Sequence, residues 1–163
     1  MKKTYFWIAA FVFAADRVTK ILAPQIPAEG SVLIPGVVGL QYVQNKGIAF
    51  SWLSGTPWLL GLLSLVLIVA GFLFLRGKKL PDLTWVGLMM MLGGATGNMI
   101  DRFFAGYVTD MIEFLFVRFA IFNIADMFLC IGCALIILRI LFGKDKPAET
   151  EKTGNEKTDE GKA

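Results

Sequence analysis

Asp16, Asp101, Asp110, Glu113 and Asp126 lie inside or at the edge of membrane-length apolar stretches, in a chain that contains no histidine. A charged side chain in hydrocarbon is costly, so an acid retained there marks a candidate functional site. Without imidazole, a Ser-His-Asp triad, a Cys-His pair and a histidine metal site are all excluded. An enzyme built from this chain must therefore take both its acid and its base from carboxylates.

Asp110 and Asp126 are the natural pair. Asp126 sits in Phe122-Asn123-Ile124-Ala125-Asp126 at the start of an apolar helix, and Asp110 precedes a second run of apolar residues. Both map to the same end of the bundle. Two nearby carboxylates cannot easily both ionise, so the pair holds one proton. One member then serves as general acid and the other as general base. The bland alternative for Asn123 and Asp126 is helix capping, with Asn as N-cap and an acid in the first turn.

The stretch Gly93-Gly94-Ala95-Thr96-Gly97-Asn98-Met99-Ile100-Asp101-Arg102 carries the next group. Gly93 and Gly97 are spaced for close helix approach. Asn98, Asp101 and Arg102 fall at i, i+3 and i+4, on one face near the same end. Packing with a local Asp101–Arg102 ion pair is the simplest account, but it leaves three polar groups on one face unexplained. Asp16 and Lys20, at i and i+4, read as a local ion pair, with Arg17 reaching the interface.

These residues need elements to position them. The 163 residues are 56% hydrophobic, with a mean hydropathy of +0.64, which places the chain in the membrane class. Four stretches approach the length needed to cross about 30 Å of hydrocarbon as helices: Tyr5–Leu22, Pro57–Leu75, Leu83–Phe104 and Ile121–Phe142. The expected fold is an α-helical integral membrane protein of four transmembrane helices. Residues 1–143 form the membrane domain, and 144–163 a disordered cytoplasmic tail that mixes acids and lysines without an aromatic residue. The outer connection, about 23–56, reads as a small sheet or hairpin, with Val37–Val43 partly alternating and Asn45-Lys46-Gly47 as a turn. Ile48–Leu53 then reads as an interfacial segment. The second connection, from Ala105 to Ala120, is so apolar that it should lie against the membrane or fold back on the bundle.

Lys2, Lys3, Arg76, Lys78, Lys79, Lys144 and Lys146 gather on one side, which puts both termini in the cytoplasm and the acids toward the outer face. Tyr5, Trp7 and Trp85 mark the inner interface; Trp52, Trp58 and Tyr107 the outer one. The start resembles a secretory signal peptide, but Asp16, Arg17 and Lys20 interrupt its apolar run, so a retained helix is expected. The net charge of +3 is a topology signal, not a nucleic-acid footprint. Cys130 and Cys133, the only cysteines, have C-x-x-C spacing, yet within an apolar helix they read as two small buried residues.

On the residues alone, three readings stand: a carboxylate peptidase, a small proton-coupled transporter or channel, and a non-catalytic membrane scaffold. A transporter would spread its acids across the membrane, and a scaffold gives no reason for repeated Asn and Asp at one depth.

Five blocks decide among them by resemblance. In order, Asp16-Arg17-Val18-Thr19-Lys20, Asn45-Lys46-Gly47-Ile48-Ala49-Phe50, Gly93–Arg102, Val108-Thr109-Asp110 and Phe122–Asp126 resemble the bacterial lipoprotein signal peptidase (signal peptidase II) family. The resemblance spans the chain to about Phe142. It implies an aspartic endopeptidase with the dyad Asp110 and Asp126, needing no cofactor and no metal. Its substrate would be a diacylglyceryl-modified prolipoprotein, cut just before the lipidated cysteine. The resemblance further implies Asn45, Asn98, Asp101, Arg102 and Asn123 around the site, with Asp16 and Lys20 in support. It also implies contact with membrane lipid, inhibition by globomycin-type compounds, a monomer, and residence in the bacterial cytoplasmic (inner) membrane.

Overall fold

The computed structural model describes residues 4–47 and 56–143. Four α-helices and three strands follow in the order α1 (Tyr5–Leu22), β1 (Ser31–Ile34), β2 (Val38–Asn45), α2 (Pro57–Leu75), α3 (Asp82–Phe104), β3 (Val108–Phe114) and α4 (Ile124–Phe142). Lys2, Lys3, the interfacial segment expected at Ile48–Leu53, with Trp52, and the tail lie outside the described residues.

By length and apolar composition, α2, α3 and α4 are each able to cross a membrane. Helix α1 is 18 residues long, and it carries Asp16, Arg17 and Lys20. Its charges point inward: Asp16 is 0% exposed and Lys20 is buried. The outer surfaces of the helices are apolar instead, with Phe11, Leu67, Phe72, Ile137 and Leu141 among the exposed residues. A bundle turned inside out in this way has bilayer, not water, as its solvent. Cys130 and Cys133 belong to that outer surface. Both are exposed, which corrects the expectation that they are buried. An apolar environment satisfies a thiol on the lipid side as well as in a core.

Helix α3 is the hub against which α1, α2 and α4 pack. Its glycines make this possible by bringing backbones together. A Cβ on Gly93 would sit 2.6 Å from the Ala9 carbonyl oxygen, and one on Gly94 2.5 Å from that of Ala125. A Cβ on Gly97 would collide with the Asp16 carboxylate. Gly87 and Gly132 form a reciprocal close pair between α3 and α4. At the opposite end, Tyr5 stacks on Trp85 with ring centroids 6.5 Å apart.

The three strands form one antiparallel sheet in the order β1-β2-β3. The expected sheet after α1 is present, but β3 comes from the second connection. Just past α3, Gly106 adopts φ 75° and donates to the Asp101 carbonyl at 3.1 Å, a left-handed cap that reverses the chain. Residues 120–122 then return alongside β3, with Phe122 and Ile112 exchanging backbone hydrogen bonds at 2.8 and 3.0 Å. That pairing delays α4, which begins at Ile124 rather than Ile121.

A half-open cleft of about 1030 Å³ runs along the bundle, with Leu67, Phe72 and Leu88 on its walls. Lys79 lies at one end; Asn98 and Asp126 lie at the other.

Candidate active site

Asp110 is set by β3, and its neighbours by the register of the sheet. Asp110 is 2% exposed and lies opposite Val43 on β2. Asn45, two residues on, shares that face and donates Nδ2 to Asp110 Oδ2 at 2.9 Å. The alignment depends on an irregularity. Leu40 pairs with Ile112 and Val43 with Asp110, so β2 has one extra residue between them. An unbroken ladder would put Tyr42 and Gln44 on the Asp110 face and turn Asn45 away, since side chains alternate. Asn45 Oδ1 also accepts the Gly47 N–H at 3.0 Å, forming the expected turn.

Asp126 is set by the start of α4. Asn123 is the N-cap: its Oδ1 accepts the Asp126 N–H at 3.0 Å, and Asp126 Oδ2 accepts the Asn123 N–H at 3.3 Å. This capping box satisfies two otherwise orphaned donors. The remaining side-chain nitrogen of Asn123 donates to Asp110 Oδ1 at 2.6 Å. The capping box and the contact to Asp110 therefore coexist in one side chain. Asn123, 0% exposed, spans the two aspartates with one amide.

Asn98 completes the arrangement. Its Nδ2 donates to Asp126 Oδ1 at 2.7 Å, while its Oδ1 accepts from Lys20 Nζ at 2.7 Å and from Asn123 Nδ2 at 3.3 Å. All four carboxylate oxygens of Asp110 and Asp126 therefore receive an N–H donor. The carboxyl of Asp110 is raised from its ordinary value to about 6. Burial is the main cause; the Asn45 and Asn123 hydrogen bonds oppose it, and the nearby Asp126 charge adds to it.

The supporting charges form a quartet between α1 and α3. Lys20 Nζ lies 3.0 Å from Asp16 Oδ2 and 2.8 Å from Asp101 Oδ2. Arg17 reaches Asp101 Oδ1 at 2.7 Å and Asp16 Oδ2 at 2.9 Å. The Asp16–Lys20 pair is as expected, while the expected reach of Arg17 and the bland Asp101–Arg102 alternative are both corrected. Arg17 does not reach for the interface, and Asp101 pairs with α1 rather than with Arg102. Adjacent helical residues point about 100° apart, so Asp101 and Arg102 face different neighbours. Arg102 instead donates to the Asn98 carbonyl at 3.3 Å and lines the cleft beside Asp126. Arg17, which sequence reasoning left out of the site, showed itself only as an unexplained third charge in α1. Glu113 lies farther along β3, opposite Gly39. Among the described residues, no group of three His, Cys, Asp or Glu side chains is arranged to hold a metal ion.

Apolar helices outside, buried charge inside and a bridged pair of aspartates define a multi-pass membrane protein with a carboxylate site. Comparison with known proteins is specific. The family model described as "Signal peptidase (SPase) II" matches residues 8–142. A lipoprotein signal peptidase of Trichormus variabilis is 43% identical over 145 residues, covering 86% of this chain and 91% of the relative. One from Latilactobacillus sakei is 36% identical over 140 residues, covering 84% and 93% respectively. A bacterial membrane enzyme solved by the in meso method at 2.3 Å resolution superposes with a TM-score of 0.77 at 32% identity, covering 88% of this chain and 93% of that one. The chain belongs to the signal peptidase II family and is an enzyme of the peptidase class.

Proposed function

We propose that this enzyme is an intramembrane aspartic endopeptidase that removes the signal peptide from diacylglyceryl-modified prolipoproteins, cutting before the lipidated cysteine. The observation that carries the reading is the Asn123 amide, which joins Asp126 N–H to Asp110 Oδ1 and so holds two carboxylates in one site. The relatives named above are lipoprotein signal peptidases, which supports a lipoprotein precursor as substrate.

In this mechanism Asp110 is the member that carries the shared proton, a form that its burial favours. Ionised Asp126 takes a proton from water, whose oxygen attacks the scissile carbonyl carbon. Asp110 donates a hydrogen bond to the carbonyl oxygen as negative charge develops there. Collapse of the tetrahedral intermediate breaks the C–N bond, and the cysteine nitrogen leaves with a proton from the dyad. The apolar cleft that ends at Asn98 and Asp126 suits a hydrophobic signal segment, and a diacylglyceryl group would keep the scissile bond near the bilayer surface.

All four helices cross the membrane in this reading, since the charges of α1 are matched within the bundle. Both termini lie in the cytoplasm and the dyad faces outward in the inner membrane. A globomycin-type inhibitor would occupy the same site, and the working unit is a monomer.

The test is cleavage of a purified diacylated prolipoprotein by the full-length enzyme and by Asp126→Asn. Release of the signal peptide by the former alone is expected. Equal cleavage by both would overturn the proposal.

A further inference from the structure

Among the described residues Lys20 has three polar partners, Asp16, Asp101 and Asn98, and only the two acids are needed for charge. Asp16 and Asp101 are two carboxylates; Lys20 and Arg17 are two cations, and each cation lies within 3.0 Å of both carboxylates. The quartet is neutral and internally paired. Yet the Lys20 ammonium extends beyond it to Asn98 Oδ1, at 2.7 Å. That contact leads directly to Asp126.

We propose that Lys20 is a positioning residue for peptide hydrolysis, acting on Asp126 through the Asn98 amide. The inference rests on the reading of Asp110 and Asp126 as the catalytic pair.

An asparagine amide has two orientations that exchange its oxygen and nitrogen. An ammonium only donates, so the Asn98 atom beside Lys20 must be the oxygen. The other atom is then the nitrogen, which places a donor 2.7 Å from Asp126 Oδ1. Turning the amide over would set NH2 against ammonium and oxygen against carboxylate, losing two charge-assisted hydrogen bonds. Lys20 thereby commits Asn98 to donate toward Asp126 through every stage of turnover. Without the ammonium, Asn98 Oδ1 would keep one contact, at 3.3 Å, from an Asn123 nitrogen already engaged with Asp110 at 2.6 Å. The amide could then turn whenever Asp126 gains a proton, and the carboxyl would lose its fixed partner.

Other charges surround this relay. Asp16 and Arg17 approach from α1, Asp101 and Arg102 from α3, and Asp110 from β3. Removing Lys20 alone would leave the quartet negative and risk the fold. The experiment therefore uses Asp16→Asn/Lys20→Met, which removes one charge of each sign. The amide introduced at position 16 has one oxygen to serve the Ala125 N–H and the neighbouring cations, and the Asp16→Asn reference carries that same change.

Turnover of a diacylated lipobox peptide is measured at matched amounts of folded enzyme. Relative to Asp16→Asn, the double variant is expected to lose about 10²-fold in kcat, as for a misplaced catalytic group, with KM changed less than about threefold. In an Asn98→Ala background the same Lys20→Met step should cost less than about threefold, because residues acting in series are not additive. An equal loss in both backgrounds, or a loss confined to KM, overturns the proposal. Asn98→Asp provides a second test that leaves Lys20 untouched. It keeps the lysine contact but removes the donor toward Asp126, so a folded, inactive enzyme is expected and a fully active one refutes the relay. Asp126→Asn measured alongside separates the two ideas: activity in that variant sinks the dyad itself, whereas an inactive Asp126→Asn with additive Lys20 effects sinks only the relay.

Discussion

Asp16 Oδ1 accepts the backbone N–H of Ala125 at 3.1 Å, across 109 positions of sequence. The first turn of a helix has backbone donors with no partner in the helix, and here a buried carboxylate of α1 takes one of them. Ala125 precedes Asp126, so the charge network of α1 also holds the backbone from which Asp126 projects. The charge quartet and the Asp126 carboxylate thus meet at adjacent positions of the chain.

Replacing either member of the pair should abolish turnover without unfolding the protein. Asp110→Asn and Asp126→Asn are each expected to lose at least about 10³-fold in kcat, and the double variant little more, because the two act as one unit. Near-additive losses in a cleavage assay would show two independent groups.

Folding should depend on pH through Asp110. Its folded-state value of about 6, against 3.8 ordinarily, means that the folded protein binds this proton more tightly than the unfolded chain. The associated stability is present in full below pH 3.8 and is lost as pH rises through about 6. The shift corresponds to about 3 kcal/mol at most. Thermal unfolding in detergent should accordingly occur at higher temperature at pH 5 than at pH 7.5, and Asp110→Asn should flatten that dependence. An unchanged slope in the variant would assign the effect to another group.

The extra residue in β2 gives a sharp contrast between neighbours. Asn45→Ala removes a donor that favours the ionised form of Asp110, so the Asp110-dependent step in the stability profile should move to higher pH. Gln44, exposed on the opposite face and bonded to Tyr42, should tolerate alanine without such a shift. A larger effect at Gln44 would mean that the register is wrong.

Gly94→Ala should destabilise by about 1–3 kcal/mol, since the new methyl meets the Ala125 backbone and backbone cannot swing aside. Gly71→Ala, with nothing within 4 Å of the added carbon, should be neutral or slightly stabilising. Membrane abundance and thermal unfolding of the two variants provide the comparison.

Activity should survive strong chelators. Carboxylates bridged by asparagines can supply proton transfer without a Lewis acid, and loss of cleavage in EDTA, restored by added divalent ion, would contradict that chemistry.

Much of this was legible in residue types. Long apolar runs defined α1 and α2 to the residue, and the five Asn/Asp-bearing blocks pointed to the residues that meet. What escaped was whatever depends on long-range pairing. Strand β3 reads Val-Thr-Asp-Met-Ile-Glu-Phe, and its first four residues are all buried, so no alternating pattern announces it. The start of α4 was misjudged because Phe122 is apolar enough for a helix but is claimed by Ile112 instead. Arg17 and Asp101 found each other across two helices, where spacing along either one carries no information. The cysteines were misplaced because burial from water and burial in protein are different conditions, and composition reports only the first.

The cleft between the helices is only half enclosed, and this affects how concentration should be counted. A reactant confined to the bilayer reaches such an opening by sliding sideways, in two dimensions, so encounter frequency follows surface density rather than molarity. Adding inert lipid or detergent at constant enzyme and substrate should therefore slow the reaction by dilution alone, and apparent KM values should converge across preparations only when expressed as mole fraction of the membrane phase.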